Sequence, residues 1–95
     1  MPEMRFDIRW PDGKAESCYS PSLVIKDYFM PGEAYAVGDF LTRSREALGI
    51  ASARVQAKYG FPCARAMGQL ARIEAAAAPF AALPGATVRV ETFTE

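Results

Sequence analysis

Apolar and polar side chains alternate strictly along residues 3–10, the first predicted strand. Its apolar face carries Met4, Phe6, Ile8 and Trp10. Its polar face carries Arg5, Asp7 and Arg9. A period of two residues is typical of a strand that buries one face. Pro11-Asp12-Gly13 then has the chemistry of a turn, because proline presets the first turn position and glycine accepts a left-handed backbone. Residues 14–19 are therefore predicted to return as the second strand of a hairpin.

The segment after this hairpin has the features of a helix start. Ser20-Pro21-Ser22 offers Ser20 as the N-cap and Pro21 as the first helical residue. We predict a short helix within Leu23 to Phe29, ended by Pro31-Gly32. The β-branched pair Val24-Ile25 leaves a strand open as the alternative.

Helical periodicity is clearest over residues 39–59, which predict one long amphipathic helix with Asp39 as N-cap and Gly60 just after its end. Its apolar stripe comprises Phe40, Leu41, Ser44, Ala47, Leu48, Ala51, Val55 and Tyr59. Another helix is predicted from about Cys63 to Ala78. Its apolar face comprises Ala66, Met67, Leu70, Ala71, Ile73 and Ala77. Its polar side comprises Arg65, Gln69 and Arg72.

A last strand is predicted from Ala86 to Phe93, with Val88 and Val90 facing inward. The predicted fold is therefore a single α+β domain over residues 1–95. Its sheet is antiparallel and three-stranded, formed by the N-terminal hairpin and the C-terminal strand, which joins beside the first strand. A two-helix hairpin covers one face of the sheet, and a short extra helix follows the strand hairpin.

Charge and composition exclude several functional classes. Eleven Lys and Arg balance eleven Asp and Glu, so no net charge attracts nucleic acid or an anionic membrane. No apolar run approaches the ~20 residues that span a bilayer, and the N-terminus lacks a signal-peptide pattern. Without histidine, the two cysteines Cys18 and Cys63 do not suffice for a metal site. We expect a cytoplasmic protein with reduced thiols, no metal and no cofactor.

Cys63 and Glu74 are the candidate catalytic residues. Cys63 lies at the predicted start of a helix, where the helix dipole favours a thiolate; alternatively it packs as a small apolar residue. Glu74 falls between Met67 and Leu70 on the apolar face. A carboxylate there is either a shielded site acid or a group that reaches solvent or an arginine at a loosely covered helix end.

Two surfaces are candidates for binding. Apolar side chains crowd the loop around Pro31-Gly32, and Tyr28, Phe29, Met30 and Tyr35 form the candidate interaction surface. The alternative is that they cap the core. On the long helix, Arg43, Arg54 and Lys58 lie along one flank, either as a dock for phosphate or carboxylate or as a solvated face.

A homodimer is expected. In a chain of 95 residues of which 51% are hydrophobic, the apolar surface is larger than one thin layer of helices can cover. We expect the contact to use the last strand, the Tyr28–Tyr35 loop, or both.

Four strings occur in an order that resembles a known family. They are Arg9-Trp10-Pro11-Asp12-Gly13, Cys18-Tyr19-Ser20-Pro21-Ser22, residues 54–61 (RVQAKYGF) and residues 69–74 (QLARIE). Together they resemble small bacterial proteins named for a nitrogen-starvation response, over residues 3 to about 93. Members of that family are typically encoded with a nitrilase, a radical-SAM protein, an acetyltransferase-like protein and a flavin-dependent oxidoreductase.

The resemblance implies a role in scavenging nitrogen from nitriles or cyanide, and it implies no catalytic residues. Since the sequence also lacks a catalytic constellation, the first hypothesis is a non-catalytic accessory protein that binds a partner enzyme of such a cluster. The alternative is a domain that handles a small molecule or catalyses a reaction with Cys63, Glu74 or both.

Overall fold

The computed structural model describes residues 2–95. Four strands lie at β1 (Met4–Arg9), β2 (Ala15–Ser20), β3 (Ala34–Ala36) and β4 (Thr87–Thr94). Three helices lie at α1 (Ile25–Tyr28), α2 (Val37–Tyr59) and α3 (Ala64–Ala77), and a 3₁₀ turn follows at Ala78–Phe80. The protein has the predicted α+β architecture, with the short helix α1 after the strand hairpin.

The sheet is antiparallel in the order β2-β1-β4-β3, so the prediction of three strands is wrong by one. As predicted, β4 joins beside β1. The additional strand β3 pairs Tyr35 with Val88, and the backbones of Gly32 and Glu33 bond to Val90 just before it. Three residues are too few to show an alternating pattern, and the preceding Pro31-Gly32 has the composition of a loop.

The hairpin turn forms as its sequence predicts. Gly13 has φ +88°, and its N–H donates to the carbonyl of Trp10 at 2.9 Å. Only glycine adopts this backbone readily, since a Cβ would be strained there. Asp12 accepts a bond from the N–H of Lys14 through Oδ1 at 3.1 Å. The turn therefore fixes the register in which Phe6 lies opposite Cys18.

The core lies between one face of the sheet and the two long helices. The inward residues of β1 are all buried, together with Val88 and Val90 of β4. From α2, Phe40, Ala47 and Leu48 pack onto them, and from α3, Ala66, Leu70, Ile73 and Ala77. The rings of Trp10 and Phe40 pack edge to face, with centroids 5.7 Å apart. This arrangement confirms the helical cover on one face of the sheet.

An irregularity in β4 decides which face Phe93 takes. Ile8 pairs with Val90 and Asp7 pairs with Thr92, so Glu91 is an extra residue on β4. Because successive strand residues alternate between faces, one extra residue reverses the alternation beyond it. Phe93 thus lies opposite Phe6 on the inward side and packs against the core.

The predicted caps at the helix starts are wrong. Ser20 ends β2 instead of capping a helix, and its hydroxyl donates to the carbonyl of Ser22 at 2.7 Å. The helix α2 begins at Val37, two residues before Asp39, because the chain enters it directly from β3. Its predicted end is confirmed: Gly60 has φ +89° and its N–H donates to the carbonyl of Gln56 at 2.8 Å.

The buried face of α3 is rotated from the predicted one. Gln69 is buried, whereas Met67 and Ala71 are exposed. The rotation arises because α3 packs against the edge strand β2 as well as against α2. The outer strand has backbone N–H and C=O groups that no neighbouring strand pairs with, and a polar side chain at that edge can form hydrogen bonds with them.

No helix within residues 2–95 is long and apolar enough to cross a membrane.

Candidate functional site

Cys63 lies at the N-terminus of α3, as predicted, and is partly buried. Its backbone N–H donates to the hydroxyl of Ser52 on α2 at 3.2 Å, which joins the two helices near their connection. The side chain lines a shallow cavity of about 200 Å³. The other residues that line it are Glu3, Tyr19, Pro21, Val55 and Tyr59. The surroundings are thus largely apolar and aromatic, with Glu3 as the acidic group.

Cys18 is fully buried on the inward face of β2, opposite Phe6. Burial raises the pKa of the Cys18 thiol far above its ordinary value of 9.0, and the negative charge of Glu16 adds to the effect. The two cysteines are not bonded to each other. Cys18 therefore behaves as a small apolar residue of the core.

Glu74 lies on the side of α3 that faces α2, and it is paired. Its Oε2 accepts a hydrogen bond from Nε of Arg45 on α2 at 2.9 Å, and both side chains are about half exposed. This geometry corresponds to the alternative in which Glu74 reaches an arginine at the loosely covered, alanine-rich end of α3.

Cys63 and Glu74 are not brought together. They lie eleven residues apart along α3, which at 1.5 Å per residue is about 16 Å. Glu74 does not line the cavity beside Cys63. In the described part of the chain, no three Cys, Asp or Glu side chains are grouped as metal ligands would be. Cys63 and Glu74 therefore lie in separate surroundings and do not form one site.

The candidate interaction surface around the Tyr28–Tyr35 loop is mostly folded onto the protein. Phe29 is buried, 5.2 Å from both the Tyr35 and the Phe40 ring. The hydroxyl of Tyr35 accepts a bond from the N–H of Met30 at 2.9 Å. Tyr28 and Tyr35 are half-buried, so Met30 is the member that presents a large exposed apolar side chain, 64% exposed.

The arginines on the flank of α2 contact the chain itself. Arg43 bonds to Asp39 and to the carbonyl of Tyr28, with its guanidinium 5.0 Å from the Tyr35 ring. Arg54 donates to the hydroxyl of Ser22 at 2.9 Å. These two side chains hold the segment between β2 and β3 against α2, so their hydrogen-bonding capacity is partly used within the fold.

A set of exposed apolar residues at one end of the helical pair was not identified from the sequence. We call it the hairpin tip, defined by Tyr59, Phe61 and Met67. Tyr59 ends α2, Phe61 lies in the connection, and Met67 lies in the first turn of α3. They are 53%, 65% and 44% exposed. Helical periodicity had assigned Tyr59 and Met67 to the core, but this end of the helices extends beyond it.

The comparisons with known proteins identify a family. No curated protein and no solved structure matches the chain. A family model described as nitrogen starvation-induced protein NitG matches residues 5–93, nearly the whole chain. The match agrees with the resemblance noted in the sequence, and the chain therefore belongs to the NitG family of nitrogen starvation-induced proteins.

Proposed function

We propose that this protein acts in the response to nitrogen starvation as a non-catalytic accessory protein that binds a partner enzyme. The family supplies the setting. The observation that carries the proposal is the hairpin tip, where two aromatic side chains and a methionine are exposed at one end of the helical pair. Aromatic residues and methionine are enriched in protein interfaces, and exposed apolar groups of this kind favour a partner.

The hairpin tip suits a protein partner better than a small ligand. Tyr59 and Phe61 are exposed at a helix end and in its connection, and the adjoining cavity beside Cys63 has a volume of only about 200 Å³. Large rigid side chains that remain exposed can act as anchors that insert into a partner's pocket. Lys58 lies 5.5 Å from the Tyr59 ring and places a positive charge at the rim.

The partner we propose is an enzyme that releases nitrogen from nitriles or cyanide, or another enzyme encoded with a nitrilase. A catalytic role for Cys63 with Glu74 is less well supported, because some 16 Å of helix separates them and Glu74 pairs with Arg45. Cys63 lies instead beside the hairpin tip, where it would be covered by a partner.

The test is direct binding between purified proteins. The nitrilase, radical-SAM protein, acetyltransferase-like protein and flavin-dependent oxidoreductase of the same genome are each titrated with this protein in a calorimeter. We expect one of them to bind, and we expect the double variant Tyr59→Ser, Phe61→Ser to weaken that binding at least tenfold, as for interface anchors.

The matched control is Leu83→Ser. Leu83 is 54% exposed, similar to Tyr59, but it lies beyond the opposite end of α3. Its loss is expected to leave binding unchanged. The proposal is wrong if none of the four enzymes binds the wild-type protein, or if the Leu83 variant binds as weakly as the tip variant.

A further inference from the structure

A groove of about 360 Å³ runs between helix α3 and the outer strand β2. Residues of α3 form one side, and outward-facing residues of β1 and β2 form the other. The lining residues are Arg5, Ser17, Tyr19, Ala64, Arg65, Gly68, Gln69 and Arg72. The helical members recur every three or four residues, so a single face of α3 lines the groove.

The groove is positively charged on a chain with no net charge. Three of its lining residues are arginines and none is acidic. Within residues 2–95, neither Arg5 nor Arg72 has a carboxylate within 4.0 Å. Arg65 lies 4.0 Å from Glu3, but both side chains are largely exposed, where such pairs contribute little.

Three carboxylates lie near the groove without lining it. Asp7 is the strand partner of Ser17, and its Oδ2 accepts a bond from the hydroxyl of Thr92 at 3.1 Å. Glu3 and Glu95 line an adjoining cavity with Arg5 and Arg65, and Glu95 pairs with Lys26 at 2.8 Å. These carboxylates offset part of the positive charge, but none of them lines the groove itself.

Two of the three arginines have side-chain contacts within the protein. Nη2 of Arg72 donates to Oε1 of Gln69 at 3.1 Å. The guanidinium of Arg65 lies over the Tyr19 ring, 3.9 Å from its centroid, and Arg5 is the strand partner of Tyr19. Side chains that are already ordered lose less conformational entropy when they bind a ligand. Arg65 and Arg72 are thus partly ordered before any ligand binds.

Gln69 adds a buried donor that the fold does not use. Its Oε1 accepts bonds from the N–H of Tyr19 and from Arg72, so this orientation of the amide is fixed. Its Nε2 is buried and has no hydrogen-bond partner in the described part of the chain. A buried N–H without a partner costs stability, and Gln69 lines the groove, so a small movement of its side chain would bring this donor to a ligand oxygen. Beside it, Gly68 leaves open space where a side chain would stand.

We propose that this groove binds a small ligand that carries a carboxylate or phosphate group. Guanidinium groups recognise both anions with paired hydrogen bonds. The volume suits a small molecule. An added peptide strand would stop at Tyr19, whose N–H is already bonded to Gln69. None of the three hairpin tip residues lines the groove, so anion binding is measured without the proposed partner.

The test is an NMR titration of the ¹⁵N-labelled protein at low salt with inorganic phosphate and, separately, with succinate. We expect shifts confined to Ser17, Tyr19 and residues 64–72, and a shift of the side-chain NH₂ signals of Gln69. The anion that binds more tightly identifies the class of ligand. Sodium chloride at matched ionic strength serves as the reference, because it screens charge without paired hydrogen bonds.

Variants distinguish binding in the groove from non-specific attraction to positive charge. Arg72→Gln and Arg65→Gln are each expected to weaken binding about tenfold, the effect of losing one charge-assisted hydrogen bond. Arg89→Gln, an exposed arginine of β4 outside the groove, is the matched control and is expected to bind normally.

Three results would overturn the proposal. The first is that both anions give only the shifts seen with chloride. The second is that the double variant of Arg65 and Arg72 binds as the wild type does. The third is that an acidic peptide, titrated in the same way, binds at the edge of β2 while neither small anion binds.

Discussion

The Oε1 atom of Gln69 accepts a hydrogen bond from the backbone N–H of Tyr19 at 3.0 Å. Tyr19 belongs to the outer strand β2, and this N–H points away from the sheet, where no further strand is available to accept it. An unpaired backbone donor at a buried position costs free energy. Gln69 thus supplies the acceptor that the edge strand lacks, and the bond links α3 to β2.

Replacing Gln69 by leucine should lower the free energy of unfolding by about 1–3 kcal/mol, since the buried Tyr19 N–H then lacks an acceptor. Urea unfolding measures the change. Gln56→Leu, at an exposed position of α2, is the control and should stay within about 0.5 kcal/mol. Equal stability of the two variants would contradict the role assigned to Gln69.

Gln69 also shows where sequence patterns reach their limit. The period of two in β1 and of 3.6 in α2 predicted those elements, because each buries a continuous apolar face against the same core. The periodicity of α3 placed Gln69 on the polar side, since a helix pattern records hydrophobicity and not a donor on a strand fifty residues away. The pairing partner of a polar residue depends on topology.

Two other differences have local causes. The strand β3 is three residues long and gives no periodic signal, so the fourth strand could not be foreseen. Phe93 reaches the inward face only because Glu91 interrupts the alternation of β4. As for the candidate site, the predicted helix from Cys63 to Ala78 already implies that Cys63 and Glu74 lie about 16 Å apart. The pairing of Glu74 with Arg45 could not be predicted, because it depends on how α2 and α3 pack together.

Replacing Gly49, within α2, and Gly60, at its end, by alanine should change the stability in opposite directions. Gly49 is helical, and a Cβ there meets no atom within 4 Å, so Gly49→Ala should stabilise the protein by about 1 kcal/mol through helix propensity. Gly60 has φ +89°, and Gly60→Ala should cost about 1–2 kcal/mol in backbone strain. Thermal unfolding would show the opposite signs, and a gain from both substitutions would contradict the assigned helix end.

The two thiols should differ in reactivity. Cys63 is partly exposed at a helix N-terminus, whereas Cys18 is fully buried and its thiol pKa is raised. Because the thiolate is the reactive form, iodoacetamide should label Cys63 first at neutral pH. Brief treatment of the folded protein followed by mass spectrometry gives the order. Slow and equal labelling of both residues would place Cys63 in the core, and labelling in denaturant provides the reference for full access.

Stability should fall in mildly alkaline solution because of Cys18. Its pKa is raised in the folded protein, so above the ordinary value of 9.0 the unfolded chain loses a proton that the folded chain keeps. The free energy of unfolding should then decrease towards a slope of about 1.4 kcal/mol per pH unit. Unfolding between pH 8 and pH 10 tests this, with Cys18→Ala as the comparison. A slope that is the same in both proteins would assign the loss to other groups.

The position of β4 changes where a dimer could form. A sheet of three strands would leave β4 at an edge, but β3 and the preceding Gly32 and Glu33 cover its outer side from Thr87 to Val90. An edge that is already paired along this stretch cannot pair with a second chain there. Of the two contacts expected from the sequence, the Tyr28–Tyr35 loop is therefore the better candidate.

We predict that the protein forms a homodimer through this loop, with Met30 as the exposed apolar group at the contact. Covering such a group would stabilise a small domain with a thin core. A two-fold pair is the commonest closed arrangement of identical chains. Light scattering at micromolar concentration should give twice the 10.4 kDa of one chain. Met30→Ser should shift the mass towards the single chain, whereas Leu83→Ser, a comparably exposed residue elsewhere, should not. A wild-type mass near 10.4 kDa would show that the protein is a monomer and that Met30 is free to contact a different protein.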